Sequence, residues 1–408
     1  MELAAAAHPS QSSIFLMASS VAEKPQASDE PAPPFRSWRL LVTFLFSIQE
    51  WVSSVAVSCF SFWRPPSALQ LPVPMENARQ LLDGCSSDSD CQAGLYCFSC
   101  GLFNSVCVRQ TASDQFKIVN TSLPFNKYAF LTTHNSFAIT GEPSRTGIPR
   151  ITFANQEDNV TQQLNNGVRA LMLDTYDFEG DIWLCHSNGG ECNAFTAFEP
   201  AIDTMKEIET FLSLNPSEIV TLILEDYVKT PNGLTKLFND SGLLKYWFPV
   251  SNMPTNGQDW PFVSDMVAKN QRLIVFTSRK FKQHTEGIAY QWNYMVENQY
   301  GDGGIKAGTC FNRAESAPLN DTNKSLVLVN YFPSTPIRQI ACEHNSEPLF
   351  DMLITCHGVA SNRWANFVAV DFYKRSDGGG VFEATDMLNG KLLCGRSDVH
   401  LCTAGSPS

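Results

Sequence analysis

The sequence predicts a parallel α/β barrel of the TIM type, somewhat irregular, behind a small disulfide-rich segment. Seven short apolar runs, β-branched or aromatic, follow one another over about 280 residues, and amphipathic helical patterns separate most of them. No glycine fingerprint for a dinucleotide follows the first run, which favours a closed barrel over an open doubly wound sheet, the competing architecture.

At the N-terminus, residues 1–35 are rich in Ala, Ser and Pro and read as a coreless leader. Arg36 and Arg39 precede an apolar stretch over residues 40–62 that carries Glu50 near its middle. An acidic residue at the centre of a spanning helix costs roughly 2.5–3.5 kcal/mol, whereas a secretory signal needs only roughly 7–15 apolar residues before small ones. Residues 1–62 are therefore assigned to a leader with a signal peptide, cleaved near Ala56 or Ser58; a signal anchor that leaves the protein membrane-tethered is the alternative. Sequons at Asn120, Asn159, Asn239, Asn320 and Asn323 are candidate glycosylation sites on a secreted chain.

A cysteine-rich module spans residues 80–112, with Cys85, Cys91, Cys97, Cys100 and Cys107 among Gly, Ser and Asp. The Cys97-Phe-Ser-Cys100 spacing suits zinc in a reducing compartment, but the cluster holds no histidine, and the leader points to an oxidising one, so a disulfide knot is expected. Later cysteines pair locally by spacing: Cys185 with Cys192, Cys342 with Cys356, and Cys394 with Cys402. Thirteen is odd, and Cys59 survives either cleavage, so a thiol is left over or pairs between chains.

The barrel is expected over residues 118–402. Its strands fall at residues 129–133, 168–175, 182–185, 219–225, 272–277, 326–331 and 367–372, and its helices at 159–165, 198–214, 234–247, 264–269, 348–357 and 381–393. In the longest clear pattern, Ile202, Met205, Ile208, Phe211 and Leu212 form one stripe before Asn215-Pro216 stops the helix.

Catalytic groups of such a barrel project from the C-terminal ends of its strands. The polar residues there are His134-Asn135-Ser, Asp174, His186, Glu225-Asp226, Arg279-Lys280, Asn330-Tyr331 and Asp371. Each alone has an ordinary structural use, such as capping the next helix. Together, two imidazoles with acidic partners at one mouth suit a reaction that removes one proton and delivers another. Phosphodiester cleavage is such a reaction, and the charge gained at phosphorus calls for Arg, Lys or a hard cation. Asn135, Asp174 and Glu225 are oxygen donors of the type Ca²⁺ prefers. The balance of 29 Lys and Arg against 41 Asp and Glu, a net charge of −12, argues against nucleic acid as partner and against electrostatic adhesion to anionic membranes. Membrane-surface contact would have to come from the pocket or an apolar rim.

Leu131-Thr-Thr-His134-Asn135-Ser, Gly167-Val-Arg-Ala-Leu-Met-Leu-Asp174 and Trp183-Leu-Cys-His186-Ser, in that order, resemble the X domain of phosphatidylinositol-specific phospholipase C, and most of all its secreted, cysteine-rich plant members. The likeness runs from Cys85 to about Cys402. It implies a phosphoric diester hydrolase with an irregular TIM-like barrel, acting on phosphatidylinositol, a related inositol lipid or another phosphodiester, with the inositol 2-hydroxyl as internal nucleophile. His134 would serve the attacking hydroxyl, His186 would protonate the leaving oxygen, and Asp371 would orient His134. Asn135, Asp174 and Glu225 would hold Ca²⁺ as cofactor, while Arg279, Lys280 and Tyr331 would contact substrate. The implied location is extracellular, in cell wall or apoplast. Met172 departs from the metal-using signalling enzymes, which carry an acidic residue there, and no Y half, EF-hand or C2 module is recognisable. Two alternatives stay open: a binding or structural wall protein that keeps the pocket without turnover, and a glycerophosphodiester phosphodiesterase.

Overall fold

The computed structural model describes residues 78–403, except 102–103, 119–121 and Asn188. The leader over residues 1–62, Cys59 and Asn120 lie outside the described residues.

The cysteine-rich segment forms a two-stranded antiparallel ribbon of β1 (Leu95–Phe98) and β2 (Val106–Arg109). Ten more strands follow: β3 (Phe130–Thr133), β4 (Ala170–Phe178), β5 (Asp181–Cys185), β6 (Ala197–Pro200), β7 (Val220–Tyr227), β8 (Leu273–Thr277), β9 (Ala289–Tyr290), β10 (Met295–Glu297), β11 (Leu326–Asn330) and β12 (Phe367–Val370). Eight of these are mutually parallel and adjacent in chain order, β3-β4-β7-β8-β9 and β10-β11-β12, and β12 pairs with β3 to join the two sets. That last pairing makes the sheet a TIM-like barrel. Among the described residues no ladder joins β9 to β10, so the wall is open at that seam.

Strand alternation divides the core in two. Phe130, Ile223, Ile274, Phe276, Met295, Leu328, Phe367 and Ala369 belong to one buried cluster, which fills the barrel and continues into Phe125, Tyr128 and Trp260. The intervening residues Leu131, Leu171, Leu222, Val275, Val329 and Val368 join Met205, Ile208, Leu353 and Leu388 of the surrounding helices. The same inner phase carries Asp174, Glu225, Glu297 and Asn330 toward the C-terminal part of their strands and, continued past the strand ends, reaches His134, Ser278 and Asp371. One period-two pattern therefore supplies both the greasy interior and the polar mouth.

Several elements differ from expectation. Residues 182–185 do not form a barrel wall strand; β5 runs antiparallel to β4 and pairs with β6 as an added ribbon. The helix expected over 198–214 is Ala201–Leu214, because residues 198–200 are spent on β6. The pattern over 234–247 breaks after Gly233–Asp240, where Gly242 turns into the left-handed region at φ 78°, and resumes as the 3-10 turn Leu243–Tyr246. The short strands β9 and β10, and the helix Arg338–His344, carry too few residues to show a period.

Six disulfides unite the twelve described cysteines. Cys85–Cys97 and Cys91–Cys107 close the small module, and Cys185–Cys192 and Cys394–Cys402 are local. Cys342 and Cys356 do not pair with each other. They lie on consecutive helices, Arg338–His344 and Glu347–Val359, and take Cys100 and Cys310 respectively. Cys310, which spacing leaves without a partner, thereby ties the long β10–β11 connection down, and Cys100 ties the module to the barrel. Arg109 of the module also pairs with Asp386 in the helix Gly380–Cys394. Asn159, Asn239, Asn320 and Asn323 are all exposed, and the Asn159 side chain caps the helix Val160–Asn165.

Candidate active site

Two turns at the mouth set the first histidine and its carboxylate. Asn135, which follows His134, and Phe372, which follows Asp371, both adopt left-handed backbone, at φ 42° and 47°. Such a conformation is costly for an aromatic residue and persists only where its surroundings over-determine it. Here the Phe372 N–H donates to the Asn155 carbonyl at 2.8 Å, and the Asn345 side chain donates to the Asp371 carbonyl at 2.9 Å.

The His134 Nδ1–H donates to Asp371 Oδ1 at 2.9 Å, and Asn155 Nδ2 donates to the same oxygen at 2.9 Å. The imidazole lies flat on Phe332, with centroids 3.6 Å apart and 7° between planes. A buried carboxylate on Nδ1 and an aromatic ring along one face leave Nε2 with its lone pair for a substrate, the geometry of an oriented general base.

His186 follows the ribbon strand β5. Its Nδ1 lies 2.9 Å from the Phe153 carbonyl, and a carbonyl can only accept, so Nδ1 carries the proton and Nε2 is free. Burial pushes its pKa down, the hydrogen bond to Phe153 pushes it up, and proximity to His134 pushes it down again. Two imidazoles, each held through Nδ1, can act as a base and an acid in a single displacement.

Asp174 and Glu225 are direct neighbours in the parallel β4–β7 register. They line a small recess of about 20 Å³ with His134, Met172, Ser278, Trp292, Glu297 and Arg313. Burial and the adjacent Glu225 charge push the Asp174 carboxyl well above the usual carboxylate range, while Arg313 pulls it down. Asn135 is 2% exposed, and its Oδ1 has no hydrogen-bond partner. Two crowded carboxylates are donors suited to a hard divalent cation, and the Asn135 amide oxygen is a further donor left without a protein partner.

The other expected substrate contacts fall elsewhere. Tyr331 is one residue out of the inner phase, so its ring packs in the outer core beside His344 rather than at the mouth. Arg279 donates from Nε to the Asp226 carbonyl at 2.7 Å and lies over Tyr227, and Lys280 is exposed; neither lines the recess. The cation that does is Arg313, paired with Glu297 at 3.0 Å and set 5.2 and 4.8 Å from the rings of Trp292 and Tyr300. It comes from the irregular connection before β11, where no sequence period singles it out. Phe332 holds the inner-face place that Tyr331 was expected to fill.

The family model described as PI-PLC X 1 matches residues 123–389. A PI-PLC X domain-containing protein of Arabidopsis thaliana is 56% identical over 330 residues, 80% of this chain and 77% of that protein. An uncharacterized secreted protein of Arthroderma benhamiae is 26% identical over 268 residues, 60% of this chain and 59% of its own length. Among solved structures, phosphatidylinositol-specific phospholipase C from Listeria monocytogenes aligns with a TM-score of 0.40 at 16% identity, covering 64% of this chain and 92% of that one.

Proposed function

Because this chain belongs to the PI-PLC X domain family, we propose that it is a secreted phospholipase C-like phosphodiesterase that cleaves phosphatidylinositol or a related inositol lipid. The observation that carries the reading is the pair of imidazoles, each with Nδ1 tied to an acceptor so that Nε2 is left for the substrate. His134 takes the proton of the inositol 2-hydroxyl as that oxygen bonds to phosphorus. His186 acts as the imidazolium: it keeps its Nδ1 proton on the Phe153 carbonyl and gives the Nε2 proton to the glycerol oxygen as the P–O bond to glycerol breaks, leaving a cyclic phosphate and a diacylglycerol. Asp371 holds His134 in the required tautomer and stabilises the imidazolium that forms.

Asn135, Asp174 and Glu225 would hold a Ca²⁺ ion, which supplies positive charge against the phosphate oxygens when bound. Arg313 contributes fixed charge to the same recess. A lipid substrate is supported by Ile148, Ile151, Phe153 and Phe195, which are 49%, 76%, 52% and 44% exposed on the loops beside His186. Six disulfides and the secreted fungal relative support an extracellular location, and among the described residues no helix is long and apolar enough to cross a membrane.

Release of water-soluble inositol phosphate from phosphatidylinositol vesicles tests the reading. Turnover should be abolished in both His134→Ala and His186→Ala and reduced by EDTA; a histidine variant with undiminished rate refutes the mechanism. Met172, a thioether lining the recess beside Asp174, favours a second reading, a headgroup-binding protein without turnover. Headgroup binding with no hydrolysis, with or without Ca²⁺, decides for it, and a glycerophosphodiester panel separates the third substrate class.

A further inference from the structure

Both histidines are held by one short stretch of chain. At its start, Thr152 Oγ1 donates to the His186 carbonyl at 2.8 Å, and the next carbonyl, that of Phe153, accepts from His186 Nδ1 at 2.9 Å. Two residues on, Asn155 Nδ2 reaches the Asp371 oxygen that orients His134, at 2.9 Å. Gln156 Nε2 then donates to the carbonyls of His134 and Val370, at 2.9 and 3.1 Å.

The stretch is itself pinned at both ends. The Ile151 N–H donates to the Phe195 carbonyl at 2.7 Å, and the N–H groups of Asn155 and Gln156 donate to the Ala138 carbonyl at 2.8 and 3.1 Å. Asn155 and Gln156 are both 0% exposed. Within the sheet the two imidazoles are linked indirectly, through β4, which pairs with both β3 and β5. His134 follows a barrel strand, whereas His186 follows β5, which pairs only with β4 and β6.

We propose that residues 152–156 are a positioning strap that sets the spacing and tautomers of both histidines as one unit. Asn155 acts on His134 through Asp371, while Thr152 and the Phe153 carbonyl act on His186. The proposal rests on the acid-base reading above. A base and an acid on opposite sides of one phosphorus must both be placed closely, because a misplacement of about 1 Å can cost on the order of a hundredfold in rate. The strap adds direct contacts near both imidazoles to the link their strands share through β4.

The test uses the full chain with Asn155→Ala and Thr152→Val, one at each end of the strap. Each should lower kcat at least tenfold with KM unchanged. Each should also shift the imidazole ¹⁵N resonances of both histidines, assigned by their absence in the His134→Ala and His186→Ala proteins. If Asn155→Ala moves only the His134 signals and Thr152→Val only those of His186, each contact is local and the strap is refuted. Melting curves establish that the variants fold. Should Asn155→Ala fail to fold, Thr152→Val at the half-buried end decides alone, by whether it moves His134. The spectra need no turnover, so a protein without hydrolytic activity would sink the phosphodiesterase reading and still settle the strap.

Discussion

Replacing Cys100 and Cys342 with serine cuts a covalent tether between the cysteine-rich module and the barrel while leaving their contacts in place. Arg109 still pairs with Asp386, the Tyr96 hydroxyl still donates to the Lys374 carbonyl at 3.2 Å, and Arg375 still lies over Phe98. The loss should therefore come mainly from the unfolded chain, which regains the freedom the cross-link removed. The two cysteines are 242 residues apart, and the loop-closure relation gives about 5 kcal/mol for a loop of that length. The Cys394–Cys402 bridge spans 8 residues, for which the same relation gives about 2.5 kcal/mol. Calorimetric melting of the two double-serine proteins without reductant, beside the parent, measures the difference. The long-loop variant should melt lower than the short-loop variant by roughly 4–5 °C for a domain of this size. Equal melting points, or a larger loss at Cys394–Cys402, would refute the chain-entropy account and place the effect in native packing.

Asp371→Asn should lower kcat roughly ten- to a hundredfold, the worth of one charge-assisted hydrogen bond at about 1.5–3 kcal/mol; inositol phosphate release measures it, and an unchanged rate would mean that Asp371 does not orient a base. Ile151→Ser removes a 76% exposed apolar side chain from the rim, so binding to neutral vesicles in a flotation assay should weaken about tenfold, while the rate on a short-chain soluble substrate should be unchanged; equal loss on both would place Ile151 in the site rather than on the membrane. Burial lifts the Glu199 pKa from 4.5 to about 7, with neighbouring Glu142, Glu207 and Asp203 adding to the rise. A carboxyl raised in the folded state favours folding below its unfolded pKa, and that contribution is lost as pH climbs from about 4.5 through about 7. Glu199→Gln should flatten this segment and stabilise the protein at pH 8 by at most about 3 kcal/mol, at about 1.4 kcal/mol per pH unit; denaturant titrations at pH 5 and pH 8 that show no difference between the two proteins would contradict it.

The barrel was legible because its signal is local. Each strand of β3, β4, β7, β8, β11 and β12 is an apolar run between turn residues, and its inner phase, continued by two, lands on the polar residue at the mouth. His134, Asp174, Glu225 and Asp371 could be found that way, since placing them needs only the strand end and the period. Tyr331 shows the cost of ignoring phase. Listing it with Asn330 as a strand-end residue discards the alternation that turns one side chain in and the next out, and the residue with the right phase is Phe332, now stacked on His134. Arg313, Asn155 and the Cys100–Cys342 bridge were hidden for a different reason. Each joins parts of the chain that are distant in sequence, and no window of a few residues records which loop folds over which strand end. His186 lies between these cases: its motif is visible, but its place depends on an antiparallel ribbon that leaves the barrel wall. A strand-end histidine could be read from the sequence, but the contacts that residues 152–156 make around both histidines could not, because that loop has no period.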